Sequence, residues 1–299
     1  MTSRRRGQGP PRFGLNVHTT ISEGADQVSV AQHAEALGFD VVTVHRDVLA
    51  GPVPSFETWT LLTWLAATTS SVHLVPNVLV VPNRHPVLLA KMAATLDRLS
   101  GGRLVLALGA GAPINSATLR SIGFPARSPA DAVDDLAETI DVLRGLWRGE
   151  PYSHYGRVAD LDGALLSPQP ARLIPIWLGA YGPRMLRLTG QRADGWLPSA
   201  FILPPDAVPP AIERIEESAR KAGRDPAELT LAYNVGVLVR DGEPPRAGHV
   251  VGSAEDVAAG LGALVEAGFD LLNLWPLQDT AEERETLAAI VAAVRDRLS

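Results

Sequence analysis

The chain has 299 residues, 46% hydrophobic and 20% charged, with a formal net charge of −6 and a pI near 5.7. That balance supplies a globular core and argues against nucleic acid or an anionic membrane surface as the main partner. The absence of cysteine excludes disulfides, thiolate metal sites and cysteine nucleophiles, and no apolar run approaches the roughly 18–20 residues that span a bilayer.

Residues 1–12 carry Arg4, Arg5, Arg6 and Arg12 among Gly, Gln and Pro. A twin-arginine export signal needs an apolar segment next, and Phe13–Val17 is too short. The expectation is a disordered tail over 1–12, one domain over 13–299, and a cytoplasmic protein. Of the 27 basic residues only Lys91 and Lys221 are lysines, a bias that reads as the codon usage of a GC-rich genome.

Phe13–Val17 is the first predicted strand, followed by a helix over Ala25–Leu37 with apolar residues at helical spacing and Gly38 as its cap. Val41–Val44 is an unbroken β-branched run, the pattern of a parallel strand buried on both faces. A helix over Ser55–Thr68 leads to a strand over His73–Val81, where Pro76 predicts a bulge or irregular backbone. Pro86–Leu99 is helical, Ser100-Gly-Gly102 stops it, and Leu104–Leu108 is the fourth strand.

A helix over Asp131–Trp147 precedes Tyr152–Leu166, whose two short runs about Gly156 and Asp160 suggest a hairpin insertion within 148–173, near the C-terminal mouth of the fold. The rhythm resumes with strands over Ile174–Leu178, Gly195–Phe201, Leu229–Val239 and Leu271–Trp275. Helices over Pro183–Gln191, Asp206–Ala222, Ser253–Ala267 and Ala281–Leu298 alternate with them, and Ser253 and Asp256 stand at capping-box spacing. Eight strands, each followed by a helix, predict an α/β (β/α)8 TIM barrel with one insertion between units four and five. The alternative is an open doubly wound sheet, but no G-x-G-x-x-G follows the first strand.

In such barrels the active site gathers at the C-terminal strand ends. Those ends carry Asn16, His18, His45, Arg46, Asp47, Asn77, Asn83-Arg84-His85, Gly109-Ala-Gly111, Asn115, Gly179–Arg184, Trp196, Ser199, Asn234, Asn273 and Trp275. The rim has few carboxylates and no lysine placed for a Schiff base, which argues against glycosidase and aldolase chemistry. No H-x-H or H-E-x-x-H spacing supports a metal site. Ile174–Leu178 runs through Gly179 and Gly182 into Pro183, a strand that turns into a helix N-terminus and so an anion seat. The plain alternative is an ordinary strand-to-helix loop.

The run from His85 to Leu104 (HPVLLAKMAATLDRLSGGRL), followed by Gly109-Ala-Gly111, resembles the bacterial luciferase-like monooxygenase superfamily. Gly182-Pro-Arg-Met-Leu186 and Ala193-Asp-Gly195 are similar to its branch that uses the deazaflavin coenzyme F420, which includes methylene-tetrahydromethanopterin reductases and related actinobacterial oxidoreductases. The resemblance covers nearly the whole chain from Phe13 onward. It implies that Tyr181, Gly182 and Arg184 hold the phosphate side chain of F420, that Asn77 and Val78 are joined by a non-proline cis peptide backing the deazaflavin ring, and that Val80 and Asn115 are further cofactor contacts.

Two departures matter. Where many F420-dependent members carry an Asp-His pair after the second strand, this chain has Arg46-Asp47 with His45 just before. Where the family's sugar-phosphate dehydrogenases carry a catalytic glutamate after the fourth strand, it has Ala112. The proton donor is therefore expected to be His45, with Asp47 orienting it, or another rim histidine. Alternatively, His45 and Asp47 form a structural pair at a strand end.

The leading expectation is an F420-dependent oxidoreductase passing a hydride between the deazaflavin and a small organic substrate, with reduced cofactor supplied by a partner reductase. The alternatives are an FMN-dependent two-component monooxygenase and an inactive cofactor-binding homologue, which titration with F420 and FMN and an activity screen would separate. The resemblance also implies a homodimer. Trp59, Leu62 and Trp64 cover more than one face of their helix, so at least one aromatic should lie outside the barrel's own core.

Overall fold

The computed structural model describes residues 9–21, 26–45, 52–111, 120–124 and 127–298. The first half runs β1 (Arg12–His18), α1 (Gln27–Ala36), β2 (Val41–His45), α2 (Thr58–Thr68), β3 (His73–Asn77), β4 (Leu79–Val80), α3 (Pro86–Leu99), β5 (Leu106–Gly109) and α4 (Pro129–Leu146). A hairpin of β6 (Tyr152–Tyr155) and β7 (Asp160–Ala164) follows. The second half runs β8 (Ile176–Leu178), α5 (Pro183–Arg192), β9 (Gly195–Trp196), α6 (Val208–Lys221), β10 (Thr230–Val239), β11 (His249–Gly252), α7 (Ala254–Glu266), β12 (Leu271–Pro276) and α8 (Ala281–Leu298).

The parallel strands hydrogen-bond in the order β3-β2-β1-β12-β10-β9-β8-β5-β4. β3 and β4 are two halves of one pass, and a parallel bridge between Leu74 and Leu104 brings the ends of the sheet together. The result is the (β/α)8 barrel, with helices outside and the hairpin between the fourth helix and the fifth pass. That hairpin lies along α4, with Tyr152 packed over Gly145 and Arg157 paired with Asp131 and Asp135. Its contacts with α4 therefore run down the flank of the barrel instead of crossing the mouth.

Several boundaries differ from the sequence expectation, each for a local reason. Residues 1–8 of the expected tail lie outside the described residues, but Arg12 belongs to β1, its N–H donating to Asp270. The strand expected over 73–81 breaks after Asn77, where the Asn77–Val78 peptide is cis as the resemblance implied, and Val81–Asn83 turns into a short 3-10 helix. β9 stops at Trp196 because Pro198 has no N–H to continue the ladder, leaving only a bridge from Ser199 to Asn234. β11 is an added strand beside β10. Gly38 sits at φ 83° just past α1 and the Ser253–Asp256 capping box is formed, both as expected.

Strand alternation divides the core in two. Val41, Val75, Val105, Ala107, Trp177, Leu197, Ala232 and Leu271 fill the lower barrel, while the opposite faces of the strands pack under the helices. The Leu96–Arg103 part of the recognisable run turns out to be scaffold. Asp97, fully buried, accepts the N–H groups of Ala171 and Arg172. Arg103 donates to the carbonyls of Ala66, Thr69, Val72 and Ser100, tying the end of α2 to the entrance of β5. No helix among the described residues is long and apolar enough to cross a membrane.

Glu35 clamps the turn between α2 and β3. Burial works against its ionisation, but the N–H groups of Ser70, Ser71 and Val72 and the Ser71 hydroxyl outweigh it and hold the carboxyl at about 2 against an ordinary 4.5. A carboxyl depressed in the fold contributes stability that is complete above its unfolded value and lost as pH falls through the folded one. Urea melts of Glu35→Gln should therefore show a stability deficit at pH 7 that closes as pH drops from about 4.5 toward 2. A deficit independent of pH would contradict this.

Candidate functional site

The inward-facing positions at the upper ends of the strands are polar where those below are apolar. Register places Asn16 beside Thr43, His18 beside His45, His45 beside Asn77, and Asn234 beside Asn273. Of these, Asn16, Thr43, Asn77, Asn234 and Asn273 form a buried hydrogen-bonded belt. Asn77 and Asn234 exchange amide hydrogen bonds (2.6 and 3.1 Å), and Asn273 donates to Asn234 (2.8 Å). The Thr43 hydroxyl lies 3.1 Å from the Asn16 Oδ1 and 3.2 Å from the Asn273 Oδ1, and Asn234 also reaches the Pro198 carbonyl. All five are buried. The belt is the floor of the mouth.

Above it the mouth has two unlike halves. On β4, β5 and β8 the side chains are small: Val78, half-buried, projects between Gly109 and Gly179. A Cβ at Gly109 would stand 2.8 Å from the Val78 Cγ2, and one at Gly179 would stand 3.2 Å from its Cγ1. These glycines thus let the cis bulge fold inward and form a shelf. Val80 is buried beside Gly111 on the same shelf. On β1, β2 and β12 the side chains are rings: His45 lies 4.1 Å centroid to centroid from Trp275, and His18 6.4 Å from it.

The β8–α5 turn borders the shelf. The Tyr181 hydroxyl accepts the Ser199 N–H (3.2 Å), and burial pushes this phenol up to about 12, so it stays protonated through the neutral range. Gly182 is the N-cap of α5 at φ −77°, ψ 160°, with no side-chain cap and nothing within 4 Å of a modest side chain at that position. Its backbone conformation does not require glycine. The Arg184 side chain turns outward to Asp134 on α4 (2.6 Å, both exposed), so the guanidinium is not at the helix N-terminus. On the β2–β4 side, Arg84 is paired with Glu57. Burial opposes the Glu57 charge, yet the N–H groups of Thr60 and Trp59, the Thr60 hydroxyl and Arg84 together hold its carboxyl below the usual range.

The structure thus brings Asn77, Val78 and Val80 together at one bulge, seats His45 beside Asn77 in register, and groups Tyr181 and Gly182 at the next turn. Asp47 and Asn115, with Arg46 and Ala112, lie outside the described residues. Three participants escaped the sequence reading. Thr43 sits mid-strand in an apolar run; Phe201 lies beyond the end of β9; His249 belongs to the unexpected β11. Among the described residues no group of three His, Asp or Glu side chains could hold a metal. A cavity lined by Gly9, Pro10, Arg12, Thr230 and Asp270 lies at the opposite, N-terminal end of the strands, away from this chemistry.

A model of the luciferase-like monooxygenase family matches residues 10–244. The chain is 33% identical over 240 residues to a phthiodiolone/phenolphthiodiolone dimycocerosates ketoreductase from Mycobacterium tuberculosis, covering 77% of this chain and 61% of that protein. It is 30% identical over 226 residues to an F420-dependent glucose-6-phosphate dehydrogenase from Nakamurella multipartita, covering 74% of this chain and 65% of that protein. The chain thus spans about three-fifths of the length of these curated relatives. Its fold is that of an F420-dependent secondary alcohol dehydrogenase solved with an F420-acetone adduct, at TM-score 0.83, 21% identity, and coverage of 96% of this chain and 99% of that one.

Because the belt is fully buried, removing one amide strands its partners. Asn234→Ala leaves the Asn77 and Asn273 amides without their acceptor and should cost on the order of 2–4 kcal/mol in a urea melt. An Asn77→Ala/Asn234→Ala cycle should be non-additive by about 1 kcal/mol or more, and additive costs would show that the belt is not coupled.

Proposed function

This chain belongs to the luciferase-like monooxygenase family, and we propose that within it the protein is an F420-dependent oxidoreductase acting on a small organic substrate in the cytoplasm. The observation that carries the reading is the inward-projecting Val78 side chain, seated between Gly109 and Gly179. A shelf without bulky side chains suits a flat tricyclic ring, and the glycine-capped start of α5 beside it suits a phosphate. Relatives at 28–30% identity whose names carry F420 support this cofactor.

In this reading Val78 backs the deazaflavin and Val80 packs beneath it, with Asn115 as a further contact. Tyr181, Gly182 and the first N–H groups of α5 hold the phosphate side chain. Arg184 joins them by leaving Asp134, an exposed pair of small energetic weight. When bound, F420 supplies a hydride donor or acceptor at C5. The protein's own part is to orient the substrate, exclude water and manage a proton. His45, at the mouth beside Asn77, is the group for that proton, with Asp47 two residues on to orient the ring. The reduced cofactor comes from a partner reductase.

The same reading carries a homodimer. On α2, Trp59 and Leu62 are buried, whereas Trp64 is 65% exposed. We assign that outward face to the second copy, so light scattering at micromolar concentration should give about twice the 31.8 kDa of one chain. A mass near one chain contradicts the dimer.

Gly182→Val and Arg184→Ala should each melt like the parent, since neither position is packed. Losing a charge-assisted contact should weaken F420 in a binding titration by roughly 1.5–3 kcal/mol. Parental titration by either variant would move the phosphate site elsewhere. His45→Ala should lower kcat by about 10²–10⁴ with cofactor affinity little changed. Near-normal turnover would make His45 structural.

A further inference from the structure

The half of the mouth opposite the Val78 shelf is built for something other than a second anion. Its rings converge on Trp275: His45 at 4.1 Å, Phe201 at 5.3 Å and His18 at 6.4 Å between centroids. His249 packs on Phe201 at 5.1 Å. None of these side chains carries a permanent charge, and Arg84, a cation of the rim among the described residues, is matched by Glu57.

Within this ring-lined setting two buried donors are uncommitted among the described residues. The Trp275 Nε1 is shielded from solvent and has no hydrogen-bond partner among the described residues. An indole nitrogen can only donate, so what it lacks is an acceptor. The Asn16 Nδ2, on the neighbouring strand, is the second, with no partner among the described residues. Native interiors rarely leave such donors unpaired unless something not belonging to the chain completes them. Phe201 is the most exposed of the rings, at 43% on the turn after β9, and packs on Trp275 and His249.

We infer that this aromatic half seats an uncharged, apolar substrate bearing one carbonyl or hydroxyl oxygen, and that the Trp275 Nε1–H donates to that oxygen. The inference rests on the F420 reading only in giving the Val78 shelf to the cofactor. Trp275 then selects substrates in two ways. Its ring and those around it favour an apolar body, and its N–H favours a ketone or alcohol over the matching hydrocarbon.

The test is a ¹⁹F NMR titration of the full chain, with and without F420, using three probes of one shape: 4-fluoroacetophenone, 4-fluoro-α-methylstyrene and 4-fluorobenzoate. The parent should bind the ketone about five- to tenfold more tightly than the styrene, the discrimination one hydrogen bond supplies, and the benzoate least. Trp275→Phe keeps a ring but loses the donor, so it should bring the ketone-to-styrene ratio near one while the styrene affinity holds. Phe201→Leu should leave that ratio intact. Should the Trp275→Phe protein melt early, the parent's six indole N–H signals decide: one should move with the ketone and none with the styrene. A ratio unchanged in Trp275→Phe, tighter binding of benzoate, or no binding of either neutral probe overturns the inference. A chain that shows the ketone preference but does not bind F420 keeps this site and loses the cofactor assignment.

Discussion

The structure depends on the amide belt that joins Asn16, Thr43, Asn273, Asn234 and Asn77 across the top of the barrel. Below it the barrel is filled by apolar side chains, and above it the chain opens to ligands. A parallel barrel must end its apolar filling somewhere, and a buried polar layer is tolerated only when its members satisfy one another. Here Asn77, Asn234, Asn273 and Thr43 do so in a chain that links five strands, and the Asn16 Nδ2 is the belt donor left without a partner among the described residues. The belt also fixes Asn77, the last residue before the cis bond, so the bulge that follows starts from an anchored side chain.

From that anchored floor the mouth separates into halves with different chemistry. The β4, β5 and β8 side is cleared by Gly109 and Gly179 around Val78, and leads directly to the open N-terminus of α5. The β1, β2 and β12 side is lined with rings and holds uncommitted donors. Hydride chemistry needs a broad, flat ligand beside a second, smaller one, with a proton group between them. His45 lies at the border of the two halves through its register with Asn77 and its contact with Trp275, and the proposed function gives it the proton.

Much of the scaffold was legible because parallel strands announce themselves as β-branched or apolar runs: Val41–Val44 and Ile174–Leu178 sit in the barrel as read. The rim asparagines were legible as polar residues closing those runs. Their mutual hydrogen bonds were not, since Asn77 and Asn234 are separated by 157 residues and only barrel closure brings them together. Pro76 signalled an irregular strand, and the family resemblance, not local propensity, placed the break at Asn77–Val78. The turn at Pro198 and the pairing of β11 depend on which neighbour each strand meets. Arg184 shows the same limit from the other side: a basic residue in the first turn of a helix reads as an anion ligand, while its resting partner, Asp134, comes from a different helix. The run from His85 to Leu104 identified the family, but much of what it does is structural, through Asp97 and Arg103.

The most direct measurement is a crystal structure of the chain with F420. The account predicts the deazaflavin lying over Val78 between Gly109 and Gly179, its phosphate at the N–H groups that open α5, and the Trp275 side of the mouth still open for substrate. A ring bound against Trp275 and His45, or a phosphate held away from Gly182, would contradict it.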